Sequence, residues 1–136
     1  MSVSPARRRY NRSVLLLSAG YALILFGVVG FFSDHPAATV RSAYLIAVLP
    51  ALPIVGIFFV LGRYMVEERD EYLRMLIVRQ ALIATAVTLS LATIWGFLED
   101  FGLAPHVFAY HAAIVWFAGL GVGAVANKLI ERGAGA

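Results

Sequence analysis

VLLLSAGYALILFGVVGFF, residues Val14 to Phe32, runs for nineteen positions without a charged side chain. At 1.5 Å per residue it makes about 28 Å of helix, close to the ~30 Å of hydrocarbon in a bilayer. Lipid offers no partner for backbone N–H and C=O groups, so the stretch reads as a membrane-crossing helix. Three comparable stretches follow, at about 42–61, 75–98 and 107–126. The alternation of a membrane β-barrel is absent. The fold expected is an all-α membrane protein with four transmembrane helices, arranged as two antiparallel hairpins in a single domain spanning 1–136.

Composition supports lipid as the solvent. Hydrophobic residues make up 61% of the 136 positions and charged residues 14%, against about 25% charged in soluble domains. A chain this short buries too little of its surface to hide that much apolar area from water. Cysteine is absent, which removes disulfides, thiolate metal sites and cysteine nucleophiles together.

Arg7, Arg8, Arg9 and Arg12 give the chain a basic start over residues 1–12. They would also suit a signal peptide, but the apolar run exceeds the usual ~7–15 residues and no clear A-x-A site follows, so a retained helix is expected. Ten of the eleven basic residues fall before the first stretch, around the second connection or after the fourth stretch; Arg41 is the exception. The positive-inside rule then puts both termini in the cytoplasm. Ser33 to Arg41 and Glu99 to His106 are outward turns, and residues 132–136 a flexible tail.

The charged connection Gly62 to Arg74 is the first candidate for function. Glu67, Glu68, Asp70, Glu71 and Arg74 are read as a docking surface for a cytoplasmic protein, or as a solvated helical entry that sets topology. Asp70 and Glu71 lie four and three positions before Arg74, within reach on a helix surface. Arg79 and Gln80 are polar inside the third stretch; Arg79 is expected to snorkel to the headgroups, or to pair with a carboxylate of the connection. Gly119 and Gly123 form a GxxxG pair suited to close packing, within the chain or in a homodimer. Ala81, Ala84, Thr85, Thr88 and Ala92 form a small-residue stripe on the third helix. Pro50 and Pro53 predict a kink in the second helix, freeing carbonyls for a small cavity or for threonines of the third. Trp95 and Tyr110 at one boundary, and Tyr10 and Tyr64 at the other, fit aromatic belts, with Trp116 deeper between helices. His35, His106 and His111 do not make a ligand set: His106 and His111, five apart, point ~140° apart on one helix.

The segment Leu49 to Glu99 resembles an uncharacterised family of small bacterial four-helix inner-membrane proteins. The features that carry this are Leu52-Pro53, Arg63-Tyr64, Asp70-Glu71-Tyr72 with Arg74, and Trp95-Gly96-Phe97-Leu98-Glu99, together with Trp116. The resemblance implies a four-helix fold in a bacterial inner membrane, on whose cytoplasmic side both termini then lie; such genes often lie beside a small helix-turn-helix regulator, which suggests a membrane partner of a cytoplasmic DNA-binding protein. No activity comes with it.

The glutamate that small multidrug-resistance transporters carry in their first helix is missing between Tyr21 and Gly30. No nucleophile, base and orienting group converge. The expectation is a non-enzymatic protein without a cofactor or metal. Its partners are the lipid bilayer, a cytoplasmic protein and a second copy of itself, with no direct contact to nucleic acid. The alternative is a small dimeric transporter or channel.

Overall fold

Ser4 followed by Pro5 is a strong helix start: the serine hydroxyl caps a free amide and proline tolerates the first helical position. The computed structural model describes residues 3–36 and 41–135, and there α1 runs from Pro5 to Asp34, with the Ser4 hydroxyl accepting from the Arg7 N–H. The helix thus begins ahead of the apolar run, and Arg7, Arg8, Arg9 and Arg12 of the basic start all stand on it. Hydropathy stops at the arginines, but each further residue still adds a hydrogen bond. Of the turn expected over Ser33 to Arg41, residues 37–40 lie outside the described residues.

The second stretch forms two helices rather than one kinked helix, α2 (Ala43–Val48) and α3 (Ala51–Glu67). The prolines account for the break. Position 50 has no N–H for the Ile46 carbonyl, which accepts from the Leu49 N–H instead (3.2 Å); position 53 has none for the Leu49 carbonyl, which accepts from the Leu52 N–H (3.2 Å). Both substitute bonds are one residue short, so the chain tightens into turns at each proline. The freed carbonyls are taken up locally. Pro50→Ala is expected to fuse α2 and α3, seen as hydrogen-exchange protection of the new amide at position 50, with a stability change within about 1 kcal/mol. Pro53→Ala, inside the first turn of α3, is expected to leave the break in place.

α4 (Glu71–Asp100) begins at Asp70, whose carboxylate accepts from the Tyr72 and Leu73 N–H groups (2.9 and 3.2 Å). It ends where Gly102 adopts φ +71°. The Gly102 N–H reaches the Glu99 carbonyl (3.0 Å) and the Leu103 N–H the Leu98 carbonyl (2.8 Å), the paired bonds of a glycine-terminated helix. α5 spans His111–Ala134. It starts later than expected and continues through Arg132 to Ala134, so most of the expected tail is helix; Ala136 lies outside the described residues.

Three helices, α1, α4 and α5, are each long and apolar enough to cross a membrane; the divided second stretch is not one of them. The chain falls into two compact units, residues 1–69 and 70–136. In the first, α1 packs on α3 in the opposite direction, with Ala6, Pro53, Ile57, Leu61 and Tyr64 buried. In the second, α4 packs on α5. Large apolar side chains, among them Leu23, Phe26, Phe59 and Leu82, stand exposed on the helix surfaces, the inverse of a water-soluble protein.

Candidate functional site

The 70–136 unit is held along a four-residue ladder. Tyr72, Leu76, Gln80 and Ala84 of α4 meet Glu131, Asn127, Gly123 and Gly119 of α5. The Tyr72 hydroxyl donates to the Glu131 carboxylate (2.6 Å) and Asn127 Nδ2 to the Leu76 carbonyl (3.0 Å). Gln80 Nε2 donates to the Leu120 carbonyl (2.7 Å). A Cβ at Gly119 would lie 2.9 Å from the Ala84 Cα, and one at Gly123 would lie 2.8 Å from the Gln80 carbonyl oxygen. The glycines therefore bring the helices near enough for the polar side chains of each to bond the other's backbone. Such bonds are the glue of helix pairs in lipid, where apolar burial supplies no driving force. Higher on the same face, Trp116 Nε1 donates to the Thr85 hydroxyl (3.0 Å), which donates to the Ala81 carbonyl (2.8 Å). Ala84 is fully buried and Thr88 nearly so.

At the far end of this unit the Glu99 carboxylate accepts from the Val107 N–H (2.7 Å) and from His106 Nδ1 (3.0 Å). Trp95 Nε1 donates to the Pro105 carbonyl (3.1 Å). These bonds fasten the turn between α4 and α5. His111 Nδ1 donates to the Phe108 carbonyl (3.0 Å). Among the described residues no three His, Cys, Asp or Glu side chains converge as a metal site.

The arginine-rich end of the 1–69 unit carries a second polar cluster. Tyr10 stacks on Tyr64, their ring centres 4.8 Å apart. Glu67 accepts from Arg63 Nε (2.6 Å) and lies 3.4 Å from Arg9 Nη2. The hydrogen bond from Arg63 is the main cause holding the Glu67 carboxyl below the usual carboxylate range, with Arg9 adding to it; it stays ionised at neutral pH. Glu68 is only 4% exposed, and its carboxylate accepts from the Ser4 hydroxyl (2.8 Å), tying the start of α1 to the end of α3. Beside Glu67, α1 and α3 enclose an open cleft of about 260 Å³.

Sequence reasoning took five charged residues as a docking surface or as a solvated helical entry, and each has its own local setting. Glu68 is an internal acceptor, Glu67 an ion-pair partner and Asp70 a helix cap. Glu71 and Arg74 are exposed on the first turn of α4. Arg79 turns back along α4, its Nη2 3.9 Å from Met75 Sδ. Gln80, Gly119 and Gly123 come together; Arg79 is not part of their contact. Asn127 and Glu131 were missed, although they continue the four-residue spacing from Gly119 and Gly123. Ser4 was missed as well, its partner being 64 residues away.

Among the described residues, these features define an all-helical protein with three helices long and apolar enough to cross a membrane. No protein-family model, curated protein or solved structure matches the chain.

Proposed function

We propose that this is a four-span bacterial inner-membrane protein, both termini cytoplasmic, that acts through protein contacts as the membrane partner of a cytoplasmic regulator. The fourth span is α2 with α3 as far as Leu61, broken at Pro50, and the spans pair as two antiparallel hairpins. Ten of eleven basic residues on one side support the orientation.

The observation that carries the reading is the exposed first turn of α4. The Glu71 side chain is exposed there and has no hydrogen bond or ion pair with another described residue. By contrast, the polar groups Gln80, Thr85, Trp116 and Asn127 are spent on contacts between α4 and α5. Chemistry able to recognise another protein therefore concentrates at the charged end. The resemblance to small four-helix proteins encoded beside helix-turn-helix regulators supports the nature of that partner.

Affinity purification from native membranes tests the reading. The full chain is expected to bring down a cytoplasmic protein. Glu71→Lys with Arg74→Glu is expected to reduce recovery about tenfold or more, since like charges set against each other cost several kcal/mol at an interface; the double variant keeps Asp70, the helix cap. Equal recovery with the charge-reversed chain would overturn the proposal. Ion or lipophilic-cation flux in proteoliposomes, with no protein recovered, would favour the small dimeric transporter or channel.

A further inference from the structure

The cleft at the arginine-rich end has a composition that the contacts of α1 and α3 do not use up. Arg9 and Arg12 reach it from α1, and Arg63 and Glu67 from α3. Three guanidinium groups face one carboxylate, an excess of two positive charges. Glu67 is shared between Arg63 and Arg9. Arg12 is exposed and has no hydrogen bond or ion pair with any described residue. Guanidinium forks match phosphate oxygens in pairs, and a phosphate is the common anion best suited to several arginines at once.

The cleft is also graded along its length. Arg9 and Glu67 stand at its polar end, and Leu16 and Val60 line it further into the apolar stretch. From Arg9 to Leu16 is seven residues, about 10 Å along α1. Arg12 stands just ahead of Val14, where the apolar run begins. A ligand filling this cleft has a negative head at the membrane surface and an apolar body leading into the hydrocarbon. Free phosphate meets only the first requirement.

We propose that Arg9, Arg12 and Arg63 bind the phosphate of an anionic phospholipid from the leaflet at the arginine-rich end, whose acyl chains run along Leu16 and Val60. Basic pockets between membrane helices recognise lipid head groups in this way. The site is independent of the partner reading, since it uses neither Glu71 nor Arg74.

Spin-label lipid association in bilayers tests it with the full chain. Spin-labelled phosphatidylglycerol is expected to associate with the protein about fivefold or more over phosphatidylcholine, the scale of one or two basic contacts at a membrane surface. Arg12→Gln is expected to remove most of that preference, and Arg12→Lys, which keeps the charge without the fork, to leave an intermediate value. Arg8→Gln, on the same helix but outside the cleft, is expected to leave it unchanged. Circular dichroism of each variant confirms that α-helix content is retained; should Arg12→Gln not fold, Arg12→Lys and Arg8→Gln carry the comparison. Equal association of the two lipids would overturn the proposal, as would equal losses from Arg8→Gln and Arg12→Gln, which indicate only diffuse basic attraction. Complete displacement of the labelled lipid by millimolar inorganic phosphate would assign the cleft to free phosphate and overturn the lipid.

Discussion

Gly123→Leu is expected to separate α4 from α5, with a loss of about 3 kcal/mol or more in reversible unfolding in mixed micelles. The cost arises because the new Cβ has no room. It would stand 2.8 Å from both the Cγ and the carbonyl oxygen of Gln80 and 2.9 Å from its Cα. Gln80 Cγ can swing away, but the backbone atoms move only if the helix moves. Even Gly123→Ala is expected to cost about 1–3 kcal/mol, and Gly119→Ala, against the Ala84 backbone, a comparable amount. Gly121 gives the internal control. It has nothing within 4 Å, so Gly121→Ala is expected to be neutral or to stabilise by up to about 1 kcal/mol through helix propensity. The sign therefore changes twice within five residues of α5. The series also separates the two sequence readings of GxxxG. If the glycines served a homodimer, Gly123→Leu would change the oligomeric state and leave the α4–α5 pair stable.

Long apolar runs can be read from one sequence because lipid imposes a length and a helical backbone on each. Val14 to Phe32 and Met75 to Leu98 both lie within the helices observed. Helix ends are less visible, because charge marks where hydrocarbon stops and not where hydrogen bonding stops; α1 thus extends back to Pro5 and α5 on to Ala134. Pro50 and Pro53 signalled a distortion, but its form depended on which amides would take the Ile46 and Leu49 carbonyls. The candidate sites divide similarly. Gly119 and Gly123 were recognisable as surfaces of close approach from their spacing alone. That they face Ala84 and Gln80 is a matter of register between two helices, which periodicity on either one does not specify. Asn127 escaped because it lies just beyond the apolar run. Glu68 looked like a solvated charge because the hydroxyl that holds it belongs to Ser4, 64 residues earlier in the chain.

Gln80→Glu is expected to destabilise the α4–α5 pair by roughly 2–3 kcal/mol at neutral pH, the scale of a charge carried into a membrane helix, and to recover on acidification. Gln80 Nε2 donates to the Leu120 carbonyl at 2.7 Å. A carboxylate in its place sets oxygen against oxygen in a half-buried position, where neither finds water easily. A protonated carboxyl has an O–H to donate and restores the bond. The folded state of the variant then holds this proton more tightly than the unfolded state does. Its stability is intact in acid and falls as pH rises until the folded state also loses the proton. Gln80→Met removes the donor without adding charge, and is expected to cost about 0.6–2 kcal/mol, the range for interhelical hydrogen bonds in membranes. That smaller loss is expected to add no pH dependence to the wild-type profile. Comparing the two variants across pH isolates the polarity of a single contact, because their side chains are similar in length and differ in what they offer the Leu120 carbonyl. A Gln80→Glu loss that did not change with pH would mean that the side chain at position 80 turns away from α5, and that the glycines alone set how closely the helices approach.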